Sequence, residues 1–115
     1  MSESYFLVER DDRIATLNIN RPEKRNAFKQ MMWGQLAAIV RELADDPGVF
    51  AIVIRGAGRK VFSAGADISE FGHRERSEAE IAADLATVDN CLLAIKDCPK
   101  AVIAMVYGYA MGGGC

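Results

Sequence analysis

Val49-Phe50-Ala51-Ile52-Val53-Ile54 is an unbroken apolar run rich in β-branched residues, bounded by Asp46-Pro47-Gly48 before it and Arg55-Gly56-Ala57-Gly58-Arg59-Lys60 after it. This is the pattern of a strand buried on both faces, as in a parallel sheet. Upstream, Met32, Leu36, Ile39, Val40 and Leu43 recur at helical spacing and share one face of an amphipathic helix that ends before Asp46. Asn26 suits the start of that helix, and Pro22 in Arg21-Pro22-Glu23-Lys24-Arg25-Asn26 ends the strand before it. Further back, Tyr5-Phe6-Leu7-Val8 and Ile14-Ala15-Thr16-Leu17-Asn18-Ile19 flank the charged cluster Glu9-Arg10-Asp11-Asp12-Arg13, which reads as a hairpin. Downstream, Val61-Phe62 forms a short strand, and Ser77 with Glu80 forms a capping box. The helix it opens carries Ile81, Leu85, Val88, Leu92 and Ile95 on one face and stops at Asp97-Cys98-Pro99-Lys100. Ala101-Val102-Ile103-Ala104-Met105-Val106 is then a second buried strand, leading into Gly108-Tyr109-Ala110-Met111-Gly112-Gly113-Gly114-Cys115. The order hairpin, helix, strand, helix, strand defines an α/β fold with parallel strands and right-handed crossovers.

A length of 115 residues and a hydrophobic content of 50% fit one folding unit or part of one. The formal charge is −2 and the pI is near 5.4, with Lys and Arg scattered, which argues against nucleic-acid binding. Met1-Ser2-Glu3-Ser4-Tyr5 lacks the charged and apolar regions of a signal peptide, and no apolar run approaches a membrane span. Cys91, Cys98 and Cys115 have none of the paired spacings that bind zinc or heme, so no metal is expected and reduced thiols in the cytoplasm are. Cys91 falls on the apolar face of the second helix, where it packs as a small hydrophobe. The one histidine, His73, sits among Arg74, Glu75 and Arg76 and reads as a solvated loop residue, which leaves no catalytic partner for a thiol.

In parallel α/β sheets ligands collect at the carboxyl ends of the strands. Two small-residue segments follow strands here, Phe62-Ser63-Ala64-Gly65-Ala66-Asp67-Ile68 and Gly108 to Cys115, so both are expected on one sheet edge. Each offers backbone N–H groups that a ligand oxygen can approach without meeting a side chain. A helix starting near Asp67 would aim the Ala66 N–H at an incoming oxygen from a positive dipole end. With a second donor from Gly112-Gly113-Gly114, the pair would make an oxyanion hole, each donor worth roughly 3 to 4 kcal/mol. The plain alternative is that glycines after strands only make tight turns and close contacts. A third reading takes Gly108, Gly112 and Gly114 as a pyrophosphate cradle of a nucleotide-binding oxidoreductase, but the helix and ribose-binding acid it requires would lie beyond Cys115. No phosphate loop of the G-x-x-x-x-G-K-[ST] type is present.

Three stretches, in order and spacing, bring the chain close to a known family. Ile19-Asn20-Arg21-Pro22-Glu23-Lys24-Arg25-Asn26-Ala27, Phe62 to Ile68, and Lys100-Ala101-Val102-Ile103-Ala104 with Gly108 to Cys115 resemble the crotonase family of enoyl-CoA hydratases and isomerases. The resemblance implies a crotonase-like spiral of ββα units, with residues 1–115 as the N-terminal part of a single domain. It implies an acyl-CoA thioester as substrate, coenzyme A being part of that substrate and no separate cofactor. It also implies Ala66 and Gly113 as the oxyanion donors that stabilise an enolate. Lys24, Arg25, Ala64, Asp67 and Ile68 would join these two in binding the CoA portion. The catalytic glutamates of the family's hydratases come after the Gly-Gly-Gly-Cys run, so hydration by these 115 residues alone is not expected. Ala101 stands where a proline is frequent in the family. The leading expectation is addition of water to a 2-enoyl thioester. Isomerisation, dehydration of a carnitinyl thioester, decarboxylation and thioester hydrolysis share the same hole. A fragment that only binds CoA or only assembles with a partner is the reading from a different class. The family also implies a homotrimer or a dimer of trimers.

Overall fold

The computed structural model describes residues 5–58, 61–63, 65, 77–106 and 109–110. Strands β1 (Phe6–Asp11) and β2 (Ile14–Ile19) form an antiparallel hairpin in register from Phe6 opposite Ile19 to Asp11 opposite Ile14. The turn is tighter than the sequence suggests, because Glu9, Arg10 and Asp11 continue the strand and only Asp12 and Arg13 turn the chain, Asp12 with a φ of 56°. An edge strand tolerates these charges, since every β1 residue after Phe6 is exposed.

A single 3-10 turn, Pro22–Lys24, precedes helix α1 (Gln30–Asp45). Met32, Leu36, Val40 and Leu43 of α1 are buried at helical spacing, together with Trp33 and Ala37, whereas Ile39 is half-buried. They cover Ala15, Leu17 and Ile19 of β2 and Ile52 and Ile54 of strand β3 (Ala51–Gly56). Each such side chain contributes about 1.5 to 3 kcal/mol by leaving water. Phe28 joins this core between Phe6, with ring centroids 5.7 Å apart, and Trp33, at 4.5 Å.

Strand β4 (Val61–Ser63), helix α2 (Glu78–Lys96), strand β5 (Ala101–Met105) and strand β6 (Tyr109–Ala110) follow. The main sheet has the order β1-β2-β3-β5, with β2, β3 and β5 parallel, as the crossover helices require. Strands β4 and β6 form a separate parallel pair.

Ser77 caps α2, its hydroxyl accepting the Glu80 N–H at 3.1 Å. The face α2 buries is narrower than its apolar pattern suggests. Cys91 is fully buried and Val88, Ala94 and Ile95 pack against the core, whereas Ile81, Leu85 and Leu92 are exposed. Two corrections concern the strands. Burial along β3 alternates, with Ile52, Ile54 and Gly56 inside and Ala51, Val53 and Arg55 half-buried, because α1 covers one face of the sheet. Strand β5 is exposed apart from half-buried Val102, because it is an edge among the described strands and α2 turns toward α1. No helix among the described residues is long and apolar enough to cross a membrane.

Candidate functional site

The loop between β2 and α1 holds the densest polar network in the described chain, and it begins with a conflict of local preferences. Arg25 and Asn26 both take positive φ, 55° and 56°, a left-handed pair that asparagine tolerates and arginine does not favour. The pair persists because the loop is closed on itself and tied to its neighbours. Asn26 N–H donates to Arg21 O at 2.7 Å, and Arg21 N–H returns a bond to Asn26 Oδ1 at 3.0 Å. Arg21 Nη1 donates to Ala27 O at 2.9 Å, its guanidinium lying over the Tyr5 ring. Asn26 Nδ2 reaches Ala57 O at 3.1 Å, and Ala57 N–H donates to Ile19 O at 2.9 Å, so the loop is fastened where β2 and β3 end. Asn26 therefore does not start a helix. Its carboxamide is committed to Ala57 and Arg21, and α1 begins later, after an extended Lys29.

A second set of bonds joins this loop to the end of β4. Ser63, with no exposed surface, donates its hydroxyl to Asn26 O at 2.9 Å and accepts Gly65 N–H at 3.1 Å. Phe28 N–H donates to Gly65 O at 2.7 Å. Gly65 has a φ of 89°, a conformation glycine adopts without strain, and both its backbone polar groups are engaged. Arg21, Asn26 and Ser63 are the buried polar side chains that hold the segment, at 5%, 1% and 0% exposure. The sequence reading missed all three as functional supports. The one local signal was asparagine's tolerance of positive φ beside a proline-containing turn.

Of the residues assigned to substrate, Lys24 and Arg25 lie exposed on this same loop, Lys24 ending the 3-10 turn and Arg25 in its left-handed cap. Ala64, Ala66, Asp67, Ile68 and Gly113 lie outside the described residues, as does His73. The strands leading into the two small-residue segments are paired directly. Val61 is opposite Tyr109 and Ser63 opposite Ala110, with an irregularity between them. The two strands belong not to the main sheet but to the smaller parallel pair, and β6 lies between β5 and Gly112-Gly113-Gly114.

Two titratable groups are held away from their ordinary values, neither at this loop. Asp46 is lowered, chiefly by its hydrogen bond from Arg10 and then by Gly48 N–H. It sits beyond the end of α1, where Phe50 N–H bonds Arg13 O, at the amino ends of β2 and β3, whereas the Asn26 loop meets their carboxyl ends. Burial pushes the Cys91 thiol up to about 11, with Arg41 acting in the opposite sense, so it is a poor nucleophile. Among the described residues no cluster of three or more His, Cys, Asp or Glu side chains could hold a metal ion.

A hairpin leading into helix-strand units, with a polar loop laced to the strand ends, makes a mixed α/β fold, and solved enoyl-CoA hydratase structures place that fold in the crotonase-like class. The chain belongs to the enoyl-CoA hydratase/isomerase family, whose sequence model matches residues 9–115. It is 38% identical over 115 residues to the Mycobacterium bovis protein named probable enoyl-CoA hydratase echA8, covering 100% of this chain and 43% of that protein. It is 35% identical over 109 residues to the mitochondrial 3-hydroxyisobutyryl-CoA hydrolase of Bos taurus, covering 94% of this chain and 28% of that protein. The crystal structure of an enoyl-CoA hydratase/carnithine racemase from Magnetospirillum magneticum superposes with a TM-score of 0.90 at 34% identity, over 98% of this chain and 42% of that one. The chain thus spans less than half the length of these relatives.

Proposed function

We propose that the full-length polypeptide carrying this chain is an enoyl-CoA hydratase, adding water across the double bond of a 2-enoyl-CoA thioester. The observation that carries the reading is the match of residues 9–115 to the enoyl-CoA hydratase/isomerase family model, and the direct parallel pairing of β4 with β6, from which the two small-residue segments continue, supports it. Ala66 N–H and Gly113 N–H donate to the thioester oxygen and stabilise the enolate formed when water adds at the β-carbon. Carboxylates outside these 115 residues move the protons, and no cofactor beyond the CoA of the substrate is used. Lys24 and Arg25, exposed on the laced loop, face the anionic phosphates of CoA, with Ala64, Asp67 and Ile68 completing its seat. Residues 1–115 form part of one crotonase-like domain, and the protein assembles as a homotrimer or a pair of trimers. A cytoplasmic location rests on the free thiols of Cys91 and Cys98.

The test is loss of the conjugated enoyl absorbance of crotonyl-CoA on incubation with the full-length protein, with 3-hydroxybutyryl-CoA as the product. Absence of any thioester-directed turnover would sink the reading. One specific observation favours a second reaction on the same hole, the 35% identity to a CoA-thioester hydrolase. Free CoA released from a 3-hydroxyacyl thioester, read with a thiol reagent, would replace hydration by hydrolysis.

A further inference from the structure

We propose that Asn26 is a positioning residue that presents the Lys24 and Arg25 cations to the phosphates of a CoA thioester, an inference that rests on the acyl-CoA reading above. Successive amides in alternating right- and left-handed conformations can form an anion-binding hollow, but the amides of this loop are spent inside it. Lys24 N–H donates to Arg21 O at 2.9 Å, Arg25 N–H to Pro22 O at 3.1 Å, Asn26 N–H to Arg21 O at 2.7 Å and Ala27 N–H to Lys24 O at 3.1 Å. Arg21 is committed inward as well, being 5% exposed with Nη1 donating to Ala27 O. What the loop can turn toward an anion is therefore the exposed pair Lys24 and Arg25, and among the described residues neither pairs with a carboxylate.

Where these two charges stand depends on a backbone conformation that arginine does not favour. Lys24 ends the 3-10 turn, Arg25 follows with a φ of 55° and a ψ of 34°, and Asn26 has a φ of 56°. An arginine gains nothing from a left-handed backbone by itself, so its neighbour imposes the conformation. Asn26 is 1% exposed, and its carboxamide accepts Arg21 N–H at 3.0 Å and donates to Ala57 O at 3.1 Å, which pins the loop to the ends of β2 and β3. Without the carboxamide the pair relaxes toward right-handed backbone, the Arg25 side chain leaves the chain in another direction, and the spacing of the two cations changes. Glu23 is exposed on the same turn, so a displaced cation also meets a competing carboxylate. An Asn26 whose part is only structural would lower stability without choosing between substrates that differ at the phosphates.

Steady-state kinetics of the full-length protein on crotonyl-CoA and on crotonyl-pantetheine, which has the same thioester and no nucleotide phosphates, separate these roles. The parent protein should show the lower KM for the CoA substrate, and added salt should narrow the gap. For Asn26→Ala we expect KM for crotonyl-CoA to rise about 10-fold with kcat within about twofold, while KM for crotonyl-pantetheine stays within about twofold of the parent value. Should Asn26→Ala fail to fold, Asn26→Gly takes the positive φ without strain and loses only the carboxamide bonds, and a rise of about threefold, again confined to the CoA substrate, is expected. An equal rise on both substrates would overturn the proposal, as would an unchanged KM alongside a lowered melting temperature, or a parent protein that does not distinguish the two thioesters. If the parent protein turns over neither thioester, the underlying reading fails first, and that result is read before any variant is made.

Discussion

At the scale of single residues, the clearest physical commitment is the thiol of Cys91. It has no exposed surface, and burial raises its pKa from an ordinary 9.0 to about 11. In the unfolded chain the thiol ionises near its ordinary value, while in the native state it keeps its proton. Between those two values the unfolded state binds fewer protons than the native one, so stability falls as pH rises. Below about pH 9 both states are protonated and the group contributes no slope. We expect the unfolding free energy from denaturant titrations to decline from about pH 9 toward 11, and Cys91→Ala to flatten that decline. An identical slope in the variant would show that other groups carry it. The apolar character of Cys91 was legible because it falls at helical spacing from Val88 and Ile95. Asn26 was misread for an equally local reason. Asparagine favours both helix starts and positive φ, and the choice is made by Ala57 and Arg21, contacts that no window of sequence contains.

At the scale of elements, α1 and α2 pack closely enough for Gln30 Nε2 to reach Asp84 O at 2.9 Å. Gly34 sits in α1 at this contact, and a Cβ built there would lie 3.9 Å from Thr87 Cγ2, an ordinary van der Waals distance. The glycine is therefore not required by the packing. Replacing it by alanine removes backbone freedom from the unfolded chain, so Gly34→Ala should stabilise by about 0.5 to 1 kcal/mol, read as a higher denaturant midpoint at unchanged m-value. A lowered midpoint would mean that the helices approach more tightly than this geometry. Helix α1 was legible because one side is apolar and the other polar. Helix α2 and its Ser77 cap were legible too, but its buried face was not, because its apolar residues are spread over more of its circumference than it buries, and sequence periodicity reports apolarity, not contact. The same reason explains β5, whose Ala101-Val102-Ile103-Ala104-Met105 run reads as interior yet is an edge among the described strands. The sequence offers a candidate site as two small-residue segments, while the buried lacing of Arg21, Asn26 and Ser63 depends on residues up to 37 positions apart.

At the scale of the whole molecule, the exposed apolar surface of this chain has a consequence for its behaviour alone in solution. Leu85 is 61% exposed, Leu92 51%, Ile103 52% and Val106 52%. Strand β5 is an edge among the described strands, paired on one side by β3, and it carries no charged residue. Natural edge strands are usually protected by charges, proline, bulges or a covering element. A net charge of −2 adds little repulsion between copies. A 115-residue polypeptide expressed alone should therefore self-associate and bind a hydrophobic dye, with light scattering after gel filtration giving a mass that grows with concentration. Placing a charge on that edge, as Ile103→Lys does, should shift the population toward the monomer without loss of helical circular dichroism, since the side chain is exposed and its strand partner Val53 is only half-buried. A parent chain that stays monomeric at high concentration, or a variant that associates as strongly, would mean that association does not run through this edge.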